Sequence, residues 1–176
     1  MKVVGLEEHF VTQELMEAWQ SIPLQHQDLA LKSSSKGEAG KLLPELGPKR
    51  IAAMDEAGID VQVLSLTSPG VQNLDDATAV DLARLSNDAL VDAIRTNPDR
   101  FQGFASLPTP APYAAARELD RAVKQLGLQG AMVFGRTGNQ NFDHPDYWPI
   151  FEVASALKAP LYIHPQTPTT PESAKR

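Results

Sequence analysis

The sequence alternates between short apolar runs and longer amphipathic segments, and this alternation limits the folds available to the chain. The apolar runs have the character of buried β-strands and occupy residues 2–6, 60–66, 102–106, 128–134 and 160–163. Segments with helical periodicity separate them, at residues 49–57, 80–94, 113–126 and 148–157. Asp75 or Asp76 can cap the second of these helices, and Asn97-Pro98 ends it. Strands that alternate with helices form parallel sheets through right-handed crossovers. The sequence therefore predicts an α/β protein.

Two architectures fit such a parallel sheet: a doubly wound open sheet and part of a (β/α)8 barrel. In both architectures, ligands bind at the carboxyl ends of the strands. No glycine-rich phosphate-binding sequence follows the first strand, which disfavours the nucleotide-binding form of the open sheet. The periodicity alone leaves both architectures open.

A polar stretch at residues 12–48 separates the first strand from the first long helix. It contains three consecutive serines at residues 33–35 and several prolines. This composition predicts a long excursion loop, with a short helix near residues 14–20. Because 176 residues are enough for one domain with a full core, residues 1–176 are assigned to a single domain.

Composition excludes several classes of function. The net charge of −6 argues against nucleic acid as a partner, since nucleic acid requires a basic surface. No segment approaches the ~20 apolar residues that a membrane span requires, and no signal-peptide pattern is present. The absence of cysteine excludes disulfides, a thiolate nucleophile and a cysteine-type zinc site. A cytoplasmic enzyme without a membrane partner is the expectation.

Three side chains of the metal-ligand type stand at the ends of the first and last predicted strands. Glu7 and His9 are two residues apart after the first apolar run, and His164 directly follows the last. Residues i and i+2 of a strand point to the same face, so Glu7 and His9 can bind one object together. A carboxylate with imidazoles suits a divalent metal such as zinc or manganese. The alternative is a set of ordinary polar residues at strand ends.

Five sequence blocks, taken in order, resemble the branch of the amidohydrolase superfamily that contains γ-resorcylate and 2,3-dihydroxybenzoate decarboxylases. The blocks extend along most of the chain and read LEEHF (6–10), MDEAGID (54–60), VLSL (63–66), FQGFASLP (101–108) and PLYIHP (160–165). The resemblance implies a (β/α)8 TIM barrel with one divalent metal. Zinc is the first expectation, with manganese or magnesium as alternatives.

The resemblance also implies the residues that bind this metal. Glu7 and His9 would contribute ligands from the first strand, and His164 a third ligand from the fifth. The fourth strand, at residues 129–133, contains no lysine. This fits a mononuclear site, because binuclear relatives bridge two metals with a modified lysine on that strand.

The chain departs from the family pattern in two respects. It stops shortly after the fifth strand, whereas a complete barrel needs about 250 residues. The expected fold is thus the N-terminal five strands of an incomplete barrel, truncated after the fifth strand. The family's catalytic histidine on the sixth strand and metal-binding aspartate on the eighth lie outside it, so no catalytic residue is assigned. Second, Phe134-Gly135 replaces an Asn-Gly pair whose asparagine contacts substrate in the family.

Three further residues are candidate substrate contacts: Phe10, Phe134 and Arg136. Phe10 either packs against an aromatic substrate or forms the wall of the barrel mouth. Arg136 follows the fourth strand, and its planar guanidinium suits a substrate carboxylate. The alternative for Arg136 is an ordinary surface arginine.

Three functions are weighed. The leading hypothesis is a metal-dependent, non-oxidative decarboxylase of hydroxylated aromatic acids, with a small-molecule carboxylic acid as substrate and a homo-oligomeric assembly. The second uses the same metal to activate water, giving a hydrolase of amide or lactone bonds. The third is a non-catalytic fragment, because five strands of a barrel leave two open edges.

Overall fold

The computed structural model describes residues 1–22, 31, 37–138 and 140–166. Its strands are β1 (Val4–Phe10), β2 (Val61–Leu66), β3 (Phe101–Gly103), β4 (Ala105–Ser106), β5 (Ala131–Phe134), β6 (Arg136–Thr137), β7 (Gln140–Asn141) and β8 (Leu161–His164). Its α-helices are α1 (Gln13–Ser21), α2 (Gly37–Leu42), α3 (Pro48–Ala57), α4 (Asp76–Thr96), α5 (Pro112–Lys124) and α6 (Trp148–Leu157). A short 3₁₀ helix, Pro145–Tyr147, precedes α6.

The helix ends follow from local chemistry. The side chain of Thr12 accepts a hydrogen bond from the Leu15 amide at the start of α1, and Asp75 does the same for Thr78 at the start of α4. Helix α3 begins with a proline in its first turn and ends at Gly58, whose φ of 70° is the left-handed conformation that glycine adopts without strain.

The strands form a curved parallel arc in which sequence order is spatial order. Strands β1, β2 and β3 pair in that order, and β4, β5 and β8 pair in that order. Only Phe104 separates β3 from β4, so the two sheets share one strand position and the arc has five. The predicted α/β class with a parallel sheet is confirmed, and the arc corresponds to the first five strands of a (β/α)8 barrel.

The third strand position lies between its two neighbours and hydrogen-bonds to both. The amide of Phe104 donates to the carbonyl of Leu64 on β2 at 2.9 Å, whereas the next amide, that of Ala105, donates to the carbonyl of Gly130 before β5 at 2.9 Å. Successive amides of a strand point to opposite sides, so these two bonds are those of a central strand, and they join the two three-stranded sheets into one arc.

The two faces of the arc bury different sets of side chains. The convex face and the helices enclose the main core, with Phe10, Leu64 and Leu66 contributed by the strands. The concave face carries a smaller apolar cluster of four buried residues with Tyr162 packed against it: Val63, Phe104, Met132 and Phe134. Residues 63 and 64 belong to opposite faces, as the period of two residues in a strand dictates.

Parts of the polar stretch 12–48 are helical. Helix α1 lies within it and covers the short helix expected near residues 14–20, and α2 lies further along. Residues 23–30 and 32–36, which include the serine run, lie outside the described residues. The indole of Trp19, on α1, donates a hydrogen bond to the carbonyl of Gly70 at 2.8 Å and so attaches this stretch to the loop after β2.

Apolar side chains are exposed on the two outermost strands of the arc. Val4 and Leu6 on β1 are 51% and 54% exposed, and Ile163 on β8 is 59% exposed. Among the described residues, β1 pairs only with β2, and β8 pairs only with β5. No helix in the described part of the chain is both long and apolar enough to cross a membrane.

Candidate metal centre

Glu7, His9 and His164 converge at the carboxyl end of the arc. Potential ligand atoms of the three side chains all lie within 4.8 Å of one another. The Nε2 atom of His164 is 3.1 Å from Oε1 of Glu7, and Nε2 of His9 is 3.8 Å from the same oxygen. The curvature of the arc thus brings together side chains that are 155 residues or more apart in sequence.

The backbone fixes the tautomer of His164. Its Nδ1 atom lies within hydrogen-bonding distance of the carbonyl oxygen of Pro165, and a carbonyl can only accept, so Nδ1 carries a proton. In the neutral ring, Nε2 then presents its lone pair to the Glu7 carboxylate. Two lone pairs that face each other repel, so this arrangement favours a proton or a metal cation between them. In metal-bound histidines, the N–H of the second ring nitrogen commonly donates a hydrogen bond to a carbonyl in this way.

His9 is held from the other side by a buried hydroxyl. Its Nδ1 atom is 3.3 Å from Oγ of Ser65, the residue directly opposite it on β2. Burial is the main cause that lowers the pKa of His9, and the charge of His164 adds to it, against an opposing effect of Glu7. The neutral imidazole is thereby favoured, which is the form that binds metals.

Glu7 accepts a hydrogen bond from the hydroxyl of Tyr162, through the carboxylate oxygen that does not face the histidines. This bond is the main cause that lowers the pKa of Glu7, while desolvation works in the opposite direction. The same bond raises the pKa of Tyr162. The carboxylate therefore stays ionised and keeps one oxygen directed at the two imidazoles.

Two phenylalanine rings lie against His164 and Tyr162. The Phe134 ring lies edge-on to the His164 ring, with centroids 5.3 Å apart, and Phe104 stacks on Tyr162 at 5.9 Å. Phe134 is buried, and its ring packs so closely on Gly70 that a β-carbon at position 70 would come within 2.9 Å of it. These rings give the site an apolar floor beside polar ligand atoms.

The other two predicted substrate contacts have different surroundings. Phe10 is 1% exposed and lies in the main core on the convex face, opposite to that of its neighbour His9. As placed, it does not offer its ring to a ligand at the metal-type cluster. Arg136 is half-buried on β6, which pairs antiparallel with β7 in a short hairpin. Its contact with a substrate stays a prediction.

Sequence reasoning missed the role of Tyr162, although a signal was available. Tyr162 precedes His164 by two residues on one strand, and the rule that joins Glu7 to His9 places Tyr162 and His164 on the same face. Ser65 carried no comparable signal, because its approach to His9 depends on the register between β1 and β2. Strand alternation therefore finds neighbours within a strand but not across strands.

The donor set and its spacing fit a divalent metal. Metal–ligand bonds of ~2.0–2.2 Å at tetrahedral angles put neighbouring ligand atoms about 3.4 Å apart, and the two nitrogen–oxygen distances here bracket that value at 3.1 and 3.8 Å. One carboxylate oxygen and two imidazole nitrogens leave further coordination positions open. An open position is typical of catalytic rather than structural metal sites.

Comparison with known proteins gives the family. The Amidohydrolase family profile matches residues 9–176. The chain is 39% identical to γ-resorcylate decarboxylase of a Polaromonas species over 173 residues, covering 94% of this chain and 50% of that protein. The chain belongs to the amidohydrolase family. Its relatives include aromatic-acid decarboxylases, in agreement with the resemblance seen in the sequence blocks.

Solved structures match the fold over nearly the whole chain. A 5-carboxyvanillate decarboxylase from Novosphingobium aromaticivorans, with bound manganese and a nitrobenzoic acid, aligns with a TM-score of 0.88 at 35% identity, covering 99% of this chain and 53% of that one. A dihydroxybenzoic acid decarboxylase from Polaromonas, with bound manganese and 2-nitroresorcinol, gives 0.79 at 38% identity, covering 99% and 52%. The chain spans about half the length of the relatives it matches.

Proposed function

We propose that this chain contributes the metal-binding half of a non-oxidative decarboxylase that acts on hydroxylated aromatic acids. One observation carries the proposal: the Glu7 carboxylate and two imidazole nitrogens meet beside a floor of aromatic rings. Relatives at 35–39% identity that act on γ-resorcylate and 5-carboxyvanillate supply the substrate class. Both molecules are phenolic acids, which match a site with metal ligands above apolar rings.

The ligands of the metal would be Glu7, His9 and His164. Zinc was the first expectation from the sequence, but the related structures contain manganese, so manganese is tested first, followed by zinc and magnesium. One carboxylate with two imidazoles does not select strongly among these ions. The donor set therefore supports a divalent metal without fixing which one.

When bound, the metal would supply Lewis acidity and a template for the substrate's carboxylate and neighbouring hydroxyl oxygens. The chain's own residues bind and orient. His164 is fixed by the Pro165 carbonyl and His9 by Ser65, and Tyr162 holds the Glu7 carboxylate. The buried rings of Phe134 and Phe104 pack behind His164 and Tyr162, so they help to fix these two side chains and exclude water from behind them.

The reaction breaks the bond between the ring carbon and the carboxylate. Carbon dioxide leaves, and a proton takes its place on the ring carbon, so neither water nor an oxidant is consumed. Within the described residues no group is assigned as the proton donor. The family resemblance assigns that step to a histidine on a later strand than the five strand positions that the structure describes.

A second candidate is a chain that binds metal and phenolic acid but does not turn the acid over by itself. The exposed apolar side chains on β1 and β8 favour it, because they would be covered if further strands paired at these edges. A homo-oligomeric assembly also stays a prediction.

The test uses the metal-loaded chain with 2,6-dihydroxybenzoate and 5-carboxyvanillate. Carbon dioxide release and the phenolic product are followed by headspace analysis and chromatography. In parallel, 2-nitroresorcinol is titrated and its visible absorption recorded, because this phenol is bound in a related structure. Glu7→Gln serves as the inactive control.

Metal-dependent carbon dioxide release that Glu7→Gln abolishes would establish the decarboxylase. Metal-dependent binding of 2-nitroresorcinol without turnover would establish the second candidate. Hydrolysis of amide or lactone substrates with no release from phenolic acids would contradict both and favour the hydrolase. Failure to bind metal or nitroresorcinol would also contradict both.

A further inference from the structure

Strand β1 contains one extra residue beside the candidate metal ligands. Gly5 pairs with Gln62 and Glu8 pairs with Leu64, so three steps along β1 oppose two steps along β2. This is a β-bulge, which changes the face on which the following side chains lie. Because of the bulge, Gly5 and Glu8 share the convex face although they are three residues apart.

The shared face of Gly5 and Glu8 is visible in their contact. A β-carbon at position 5 would lie 2.4 Å from a carboxylate oxygen of Glu8. The side chain of Glu8 therefore folds over the space that glycine leaves open. Its other carboxylate oxygen accepts a hydrogen bond from Nε2 of Gln62 at 3.0 Å.

Arg50, on α3, joins this pair to the backbone of a metal-ligand residue. Its guanidinium donates to Oε1 of Gln62 at 3.1 Å and to the main-chain carbonyl of His9 at 2.7 Å. A third bond, from Nε of Arg50 to the carbonyl of Glu45 at 2.8 Å, fixes the arginine to the loop before α3. One side chain thus holds both flanks of the bulge from the face opposite the site.

The geometry of the bulge decides where Glu7 and His9 point. In a strand, a register slip of one residue moves every later side chain to the other face. The contacts of Glu8 and of the His9 carbonyl are made downstream of the extra residue, where a slip would turn His9 away from Ser65 and His164. An arginine suits the task because its fork makes several bonds in fixed directions, whereas a lysine cannot hold three separate acceptors in the same way.

We propose that Arg50 is a positioning residue for the metal centre: with Gln62 and Glu8, it fixes the bulge that directs Glu7 and His9 at one ion. The inference rests on the proposed metal-binding function and deepens it. Arg50 touches neither metal nor substrate and acts through the β1 backbone. Partners behind metal ligands typically contribute 10–100-fold to metal affinity.

The chain offers a matched control in Arg100. Arg100 also donates to two main-chain carbonyls, those of Asp60 at 2.9 Å and Ile59 at 3.1 Å, but these lie just before β2, away from the candidate site. It also pairs with Asp55 at 2.7 Å. Arg50→Met and Arg100→Met therefore remove comparable anchors, and only the first acts on the metal ligands.

The experiment compares wild type, Arg50→Met, Arg50→Lys and Arg100→Met with two readouts. Manganese affinity is measured by titration followed by electron paramagnetic resonance of the free ion. The ring ¹⁵N resonances of the histidines are measured by NMR in the metal-free chain. We expect Arg50→Met to weaken manganese binding about 10- to 100-fold and to shift the His9 resonances, Arg50→Lys to restore both in part, and Arg100→Met to change neither.

The two readouts separate failure of this inference from failure of the proposed function. If wild type binds no manganese, the proposed function fails, and the His9 resonances alone still decide the role of Arg50. If Arg50→Met binds manganese as wild type does and leaves the His9 resonances in place, Arg50 does not position the site. Equal effects in Arg50→Met and Arg100→Met would also overturn the inference, since they would indicate general destabilisation. If the Arg50→Met chain does not fold, Arg50→Lys is used instead. Wild-type manganese affinity and unshifted His9 resonances in Arg50→Lys would then contradict the positioning role of Arg50.

Discussion

Two carboxylates of this protein, Glu118 and Glu7, are surrounded in opposite ways. Glu118, on α5, is 4% exposed and fully compensated: Arg121 donates to both of its oxygens at 2.8 and 2.9 Å, and Asn87 donates to one at 2.8 Å. Glu7 is more than one-third exposed, and one of its oxygens faces two imidazole nitrogens rather than a fixed cation.

The difference separates a structural polar cluster from a ligand-binding one. In the first cluster, Asn87 also makes two bonds with the main chain of Ser106, so α4, α5 and β4 are fixed together by groups that already satisfy each other. In the second cluster, the Glu7 carboxylate and the Nε2 atom of His164 present acceptor lone pairs to each other, with His9 beside them. These facing acceptors leave a place for a cation, whereas the groups around Glu118 already satisfy each other.

The largest expected effect is on stability, from Arg121→Met. Among the described residues, the substitution would leave the buried Glu118 carboxylate with only Arg84, at 3.5 Å, as an ionic partner. Removing one partner of a buried ion pair typically costs about 3–5 kcal/mol of unfolding free energy, and we expect the lower end of that range. Urea denaturation measures the loss, and metal affinity should not change.

Arg95→Met is the control for this substitution, because Arg95 pairs with Asp92 at an exposed position. Its unfolding free energy should stay within about 1 kcal/mol of wild type. If Arg121→Met were as mild as Arg95→Met, the Glu118 cluster would not have the structural role described for it.

Glu7→Gln should lower metal affinity strongly and change stability little, which is the reverse of the result expected for Arg121→Met. In the metal-free chain, its unfolding free energy should change by less than ~0.5 kcal/mol, as for most exposed positions. Its affinity for manganese or zinc should fall by more than ~100-fold, beyond the range typical of residues behind the ligands, because an anionic ligand is lost. Calorimetric metal titration and urea denaturation on the same samples measure both quantities.

Tyr162→Phe tests how strongly metal affinity depends on the orientation of the Glu7 carboxylate. The substitution removes only the hydroxyl that donates to Glu7, so we expect metal affinity to fall about 10-fold, the lower end for such partners. Tyr113→Phe is the matched control, since Tyr113 is 73% exposed on α5. Equal affinities for the two variants would show that Glu7 needs no support from Tyr162.

The smallest expected effect is on the pH dependence of stability in the metal-free chain. The pKa of His9 is lowered in the fold, so below the unfolded value of 6.5 the unfolded chain binds the proton more readily. Stability should therefore fall as pH decreases from 7 through 6.5 and below. His9→Asn should flatten this part of the stability curve. A steeper pH dependence of stability for His9→Asn than for wild type would contradict a lowered pKa of His9 in the fold.

Much of the fold could be predicted because apolar periodicity is a local signal. Helix α6 has the bounds that its periodicity predicts, and α4 begins after Asp75, one of the two predicted caps, and ends before Asn97-Pro98 as predicted. Strand β1 was predicted to end at residue 6 but continues to Phe10, because its polar end pairs with β2. An apolar criterion cannot detect a strand end made of ligand-type side chains. Nor can it detect the hairpin of β6 and β7, whose segments are two residues each.

In the candidate site, too, local sequence patterns predict some features and contacts between distant residues determine the others. Alternation along β1 was enough to pair Glu7 with His9, and the structure brings His164 to them across the arc. The support from Ser65, Gln62 and Arg50 depends on the register and on a bulge that no local pattern records.

The most direct test of the central claim is the metal content of the purified chain. Wild type and a Glu7→Gln/His164→Asn double variant are loaded with manganese or zinc, dialysed exhaustively and analysed by plasma mass spectrometry. We predict close to one metal ion per wild-type chain and almost none in the folded double variant. Wild type without metal, or equal metal content in both proteins, would contradict the assignment of Glu7, His9 and His164 as a metal centre.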